Sequence, residues 1–199
     1  MPRLLEEGFP FVLIGRYEPI EAVYSVDNDN VGAGRMATEY LLRKGHRRIA
    51  YISGPRGLFV CEDRYAGYQQ ALREAQVCCP SEMVVWGDFT EEHGYRAMSR
   101  LLSLPEPPTA VVAVDDLVAI GALRAAKEHG VAVPQQLAVV GFNDSPFCQY
   151  VDPPLTSVAV DIRALAQMAT EMLIHQVEGR EPPQRRTIVP CHLVERESG

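Results

Sequence analysis

The sequence predicts an α/β fold in which parallel strands are covered by helices, and three observations lead to it. Short apolar runs alternate with segments of helical period through most of the chain, as they do in successive βα units. Those runs are continuously apolar, the pattern of strands buried on both faces. With 199 residues, 47% of them hydrophobic, the chain can bury the sizeable core that a layered fold requires.

Taken in order, the candidate strands are 10–15, 49–53, 83–86, 110–114, 137–142, 156–160 and 187–194. After the first of these, Val26, Asp27, Asn28, Asp29 and Asn30 read as a polar loop. Ala33, Ala37, Tyr40 and Leu41 then recur at the spacing of a helix stripe, as do Tyr65, Tyr68, Leu72 and Ala75 further on. A third helix carries Tyr95, Met98 and Leu102, with Thr90 placed to cap its N-terminus. The segment 117–129 is apolar nearly all round, which predicts deep packing. The longest helix starts from Asp161 as N-cap, turns Ile162, Leu165, Ala169, Met172 and Val177 to one face, and stops at Gly179.

Charge and cysteine usage narrow the function. A formal net charge of -7 describes an acidic chain, whereas a duplex-binding domain shows a basic face, so DNA is not expected to be its direct partner. Arg43, Lys44, Arg47 and Arg48 do cluster, but at a helix end, where cations complement the dipole. The five cysteines, Cys61, Cys78, Cys79, Cys148 and Cys191, are odd in number and form no C-x-x-C pair. That pattern predicts a reducing, cytoplasmic compartment and no metal. No apolar run approaches the roughly 20 residues of a membrane span. The opening Met1 to Glu7 lacks the apolar region of a signal peptide and is expected to be the tail of a helix that began earlier.

Two familiar patterns lose to plainer explanations. Gly32, Gly34 and Ala37 match a dinucleotide-binding fingerprint, which needs a strand running into the glycines and an acidic residue about 20 positions later. Close helix packing accounts for the glycines without a nucleotide, and no cofactor is expected. The histidines are scattered, with no nucleophile beside them in a strand-turn-helix elbow, so the chain is not expected to be an enzyme. Asp115 and Asp116 are adjacent at a strand end. Asp116 is expected to cap the following helix, leaving Asp115 to face a crevice.

Ligands of open parallel sheets collect at the carboxyl ends of the strands. Four such ends here carry polar or aromatic groups: Ser53 onward to Arg64, Gly87 to Phe89, Asp115 with Asp116, and Asn143 with Asp144. A guanidinium, a flat ring and short acceptors suit a sugar, a sugar phosphate or a purine, and these groups together predict a binding cleft.

At this point the chain resembles the LacI/GalR family of transcription regulators along essentially its whole length. The resemblance is carried by Phe9 to Arg16, Val26 to Asn28, Gly32 to Ala37, Gly45 to Pro55 and Arg64 to Tyr68. It continues through Gly87 to Phe89, Gly94 to Met98, Asp115 to Leu123, Val139 to Asp144 and Asp152 to Val158. It implies a periplasmic-binding-protein-like type I fold of two Rossmann-like lobes with parallel sheets, closing on an effector. Residues 1–45 and 158–182 would form an incomplete first lobe, and 46–157 with 183–199 the second. By motif position Arg64 resembles the family's ligand-clamping arginine and Phe89 its stacking aromatic, while Asp115 and Asn143 occupy ligand-contacting positions. The family more often has Asn at the former and Asp at the latter, which changes the hydrogens that can be donated and accepted. The resemblance further implies a homodimer, through surfaces that include Phe147 and Tyr150, and DNA contact only through a headpiece expected to be absent from this chain. A periplasmic sugar-binding protein of a transport system shares the fold and is the alternative; the unpaired cysteines favour the cytoplasmic regulator.

Overall fold

A computed structural model describes Leu4, residues 6–19 and residues 23–199. The expected helix tail at the start falls largely on Met1 to Arg3 and Leu5, outside the described residues. The chain divides into two compact units, one of residues 1–29 and 161–191 and one of residues 30–160 and 192–199.

The smaller unit is a parallel three-stranded sheet, ordered β1 (Leu13–Ile14), β2 (Ser25–Asn28), β8 (Arg186–Val189). A helix, α5 (Ile162–Val177), buries Leu165, Ala169 and Met172, and Asp161 caps it as expected by accepting from the Ala164 amide at 2.8 Å. The central strand corrects the sequence reading, which took residues 26–30 for a polar loop. Ser25, Val26 and Asp27 are all buried in β2. A strand needs partners for its backbone before it needs apolar side chains, and β2 has them on both sides. Val26 pairs with Ile14 and with Thr187, and Asp27 is answered by the Asn28 amide at 2.8 Å and by Arg186 at 3.9 Å. The expected strand 10–15 shrinks to two residues. The expected strand 187–194 breaks at Pro190, so that β8 belongs to this sheet and β9 (His192–Val194) to the other.

The larger unit is a six-stranded sheet in the order β4 (Val84–Val85), β3 (Ile49–Ile52), β5 (Ala110–Ala113), β6 (Ala138–Asn143), β7 (Thr156–Ala159), β9. Its pairings are parallel except for β9, which runs antiparallel to β7. Every residue of β3, β5 and β7 is buried, which is why β3 and β5 read as unbroken apolar runs, while β7 also buries Thr156 and Ser157. Ala50, Ile52, Val111, Ala113 and Val139 share a core with α3 (Glu91–Leu102) and α4 (Asp116–Glu128). On the other face, the Tyr51 ring of β3 lies 5.0 Å from that of Tyr68 on α2 (Phe59–Glu74). The remaining helix, α1 (Asn30–Arg43), packs on α2.

Close approach sets each helix pair. A Cβ on Gly34 of α1 would meet the Arg64 carbonyl oxygen at 2.0 Å, and one on Gly67 of α2 would meet that of Val31 at 2.0 Å. The second pair repeats the device, with Gly94 against Val118 O at 2.1 Å and Gly121 against Glu91 O at 2.0 Å. The Gly32 to Ala37 motif thus lies inside a helix, where Gly34 serves contact with a neighbouring helix. These contacts place residues 30–43 with the larger unit, and the pairing of β8 with β2 places 183–191 with the smaller. The unit boundaries therefore differ from those drawn from the sequence. Among the described residues no helix is long and apolar enough to cross a membrane, and no cluster of His, Cys, Asp and Glu is placed to hold a metal ion.

Candidate functional site

The strand order explains how separated residues meet. β4, β3, β5 and β6 are neighbours and parallel, so the segments leaving their carboxyl ends lie along one edge of the sheet. Phe89 follows β4, Ser53 follows β3, Asp115 follows β5, and Asn143 ends β6.

Arg64 is the hub. It sits on α2, only 4% exposed, with its guanidinium 4.6 Å from the Phe142 ring. Its Nε donates to Asn30 Oδ1 at 3.2 Å, Nη1 to the Val114 carbonyl at 2.6 Å, and Nη2 to Asn143 Oδ1 at 3.3 Å. One side chain thereby ties the start of α1, the end of β5 and the end of β6. Asn143 holds a left-handed backbone, φ 97°, a region that Asn enters more readily than most residues. Its amide oxygen faces Arg64, so a neutral acceptor stands where a carboxylate would have formed an ion pair.

The two aspartates exchange the roles expected of them. Asp115, not Asp116, is the N-cap of α4, accepting from the Val118 amide at 2.9 Å. Asp116 points inward instead, 1% exposed. It accepts from Ser157 Oγ at 2.7 Å and from the Ser145 amide at 2.8 Å, and the Asp144 amide donates in turn to Ser157 Oγ at 3.0 Å. Arg196 secures the same loop through Asp144 Oδ1 at 2.7 Å and the Leu155 carbonyl at 2.8 Å. Burial, followed by the charge of Asp116, pushes the neighbouring Cys148 thiol up to about 12, so that sulfur stays protonated and unreactive. Asp116 and Arg196 therefore hold the turn that presents Asn143. Replacing Asp116 with alanine strands a buried amide and a hydroxyl, and is expected to lower stability by about 2 kcal/mol or more in urea unfolding. A loss within experimental error would show that the bonds are not made in solution.

Asp115 remains half-buried beside this cluster. Burial raises its carboxyl above the usual range, opposed by the cap bond from Val118 and, after a further rise from Asp116, by the Arg64 charge. A carboxyl whose folded value is raised stabilises the fold at low pH and loses that contribution as pH climbs through the folded value. Asp115→Asn keeps a good cap without the desolvated charge. The variant is expected to be modestly more stable than the native chain at neutral pH, with the difference vanishing below pH about 4. Equal stability of the two chains across that range would remove the role of burial.

Phe89 is half-buried against the other side of this edge. A Cβ on Gly54 would meet its ring and Cys61 Sγ at 2.9 Å each, and Cys61 lies one helical turn before Arg64. The structure thus joins Arg64 and Asn143 directly, sets Asp115 beside Val114, and places Phe89 next to the same helix. It adds Asn30, which the sequence reading put in a loop, and Asp116, Ser157 and Arg196. Three of the five histidines have local partners: His46 Nδ1 meets Thr109 Oγ1 at 3.0 Å, His93 Nε2 the Ser53 carbonyl at 2.9 Å, and His129 Nδ1 the Ala125 carbonyl at 2.8 Å.

Residues 38–199 match the family described as periplasmic binding protein-like domain. Among curated proteins, the HTH-type transcriptional regulator CelR of Thermobifida fusca is 38% identical over 202 residues, which take in 100% of this chain and 59% of the relative. The chain thus spans less than two thirds of that protein. Among solved structures, a regulatory protein of LacI family from Chloroflexus aggregans superposes with a TM-score of 0.95 at 39% identity, over 99% of this chain and 71% of the other. A transcriptional regulator CelR-cellobiose complex gives a TM-score of 0.94 at 39% identity, over 100% of this chain and 62% of the other.

Proposed function

The chain belongs to the LacI family of transcription regulators, and from that premise we propose that it is an effector-sensing part of such a regulator. Its ligand is a small polar molecule, a sugar, sugar phosphate or purine, held by Arg64, Phe89, Asp115 and Asn143. Occupancy of that site biases DNA binding by a headpiece elsewhere in the regulator. The chain itself does no chemistry, takes no cofactor and works in the cytoplasm.

One observation carries this reading: a buried guanidinium shared between Asn30, the end of β5 and Asn143, at the carboxyl edge of four adjacent parallel strands. Such a hub supplies the fixed, desolvated donors that a polyhydroxylated ligand requires. The CelR relative, solved with cellobiose, favours the sugar among the three classes. A thermal-shift screen of monosaccharides, disaccharides, sugar phosphates and nucleobases tests it. A true effector at about 100 times its Kd stabilises the fold by about 2.7 kcal/mol. Phe89→Ala is expected to weaken that effector about tenfold and also to lower the unliganded midpoint, because the half-buried ring packs against the core as well. An effector that binds Phe89→Ala at native affinity would remove Phe89 from the site.

Self-association belongs to the same reading. Tyr150 is 80% exposed and Phe147 38%, both by the short turn Pro146–Gln149 on the larger unit. Exposed aromatics at that density mark a protein interface. Tyr150→Asp is expected to shift the sedimentation coefficient from dimer toward monomer, and an unchanged dimer would place the interface elsewhere.

A further inference from the structure

A cavity lies away from the Arg64 cluster, wholly within the larger unit. Its volume is about 410 Å³, and it opens between α2 and the edge strand β4. Trp86 forms one wall. The Arg56 guanidinium stacks on that indole at 4.2 Å, and the Tyr65 ring meets it edge-on at 5.3 Å. Arg73 also lines the cavity. The lining contains two arginines and no carboxylate, in a chain whose net charge is -7. Among the described residues neither arginine has an ion-pair partner. Gln69 Nε2 donates to the Tyr65 phenol at 3.0 Å, which leaves the phenol's own hydrogen to be given to something else.

These features describe a recognition site. Two guanidiniums present planar forks matched to phosphate oxygens, and the aromatic wall adds apolar surface for the rest of a ligand. Two arginines without an ion-pair partner at one opening are available to an anion, whereas packing alone needs no charged group there. We propose that this cavity binds a small phosphorylated ring compound, with the guanidinium edges of Arg56 and Arg73 on the phosphate, the Tyr65 hydroxyl donating to it or to a ring oxygen, and Trp86, stacked on Arg56, closing one wall. Two sources share that chemistry, a sugar phosphate and a nucleoside monophosphate. Occupancy would be sensed on α2, the helix that also carries Arg64, which makes this a second input separate from the effector cluster.

Trp86 is the chain's single tryptophan, so its emission reports this cavity. Titration of the native chain with glucose 6-phosphate and with uridine 5′-monophosphate is expected to give a saturable change in that emission with at least one of them. Glucose, uridine and inorganic phosphate alone should give none. Arg56→Gln and Arg73→Gln, both at exposed positions and so compatible with the fold, are each expected to raise the apparent Kd about tenfold, the loss of one charge-assisted contact. Asn143→Ala should leave the titration unchanged, and failure of the effector reading would not alter it. The proposal is overturned if neither probe saturates, if both arginine variants bind at native affinity, or if inorganic phosphate titrates as well as the ring compounds. A titration that responds to Asn143→Ala would overturn it too, by tracing the signal to the Arg64 cluster.

Discussion

Valine in place of Gly67 is expected to be the most damaging single change in the larger unit. Its Cβ would lie 2.0 Å from the Val31 carbonyl oxygen and 2.6 Å from the Arg35 amide, and backbone cannot swing aside as a side chain can. The α1 and α2 axes must separate, and the reciprocal contact of Gly34 on the Arg64 carbonyl is lost with them. Overpacking of this kind costs about 3 kcal/mol, sometimes more, against a total stability of about 5–15 kcal/mol for an ordinary domain. Guanidinium unfolding monitored by circular dichroism should show a midpoint shift of that size. The displacement also moves Arg64, so effector affinity should fall even at temperatures where the variant is folded. A Gly67→Val chain within about 0.5 kcal/mol of native stability would show that the helices are not held at this distance.

Arg64→Ala is expected to fail on two counts. The family resemblance implies a ligand clamp. In the structure the same guanidinium is 4% exposed and bonded to Asn30, Val114 and Asn143, so truncation also leaves a cavity and three acceptors without their donor. Stability should drop by about 3 kcal/mol, and effector binding should vanish. Arg64→Lys separates the two roles. It restores a charge but cannot span three acceptors set in different directions, so it should regain part of the stability and little of the affinity. Native stability in Arg64→Ala would mean that the side chain points out to its ligand and not into these bonds. Native effector affinity in Arg64→Lys would mean that charge alone recognises the ligand.

The larger unit was legible because local and global signals agree there. Apolar runs mark strands buried on both faces, Thr90 caps the helix it precedes, and Asn143 at the end of β6 meets Arg64. Elsewhere the local signal is silent or misleading. Asp115 and Asp116 are the same residue type at the same junction, and one step of backbone rotation decides which of them caps α4. That step is settled by Ser157 and by the Ser145 amide, 41 and 29 residues away along the chain. Arg196 reaches Asp144 across 52 residues, with no spacing rule to announce it.

By itself, the sequence determined the βα order, the buried strands of the larger unit, the caps Thr90 and Asp161, the family, and the strand ends from which Phe89, Asp115 and Asn143 lead off. Each of these depends on side-chain chemistry within a few positions or on motifs kept in order. Only the tertiary structure decided that Ser25–Asn28 is a strand, that the run from Arg186 to Val194 serves two sheets, and that Arg64 is bonded to Asn30, Val114 and Asn143. Backbone pairing of β2 with β8 and burial of a charge among distant acceptors are non-local events. Their free energy comes from partners that no window along the chain contains.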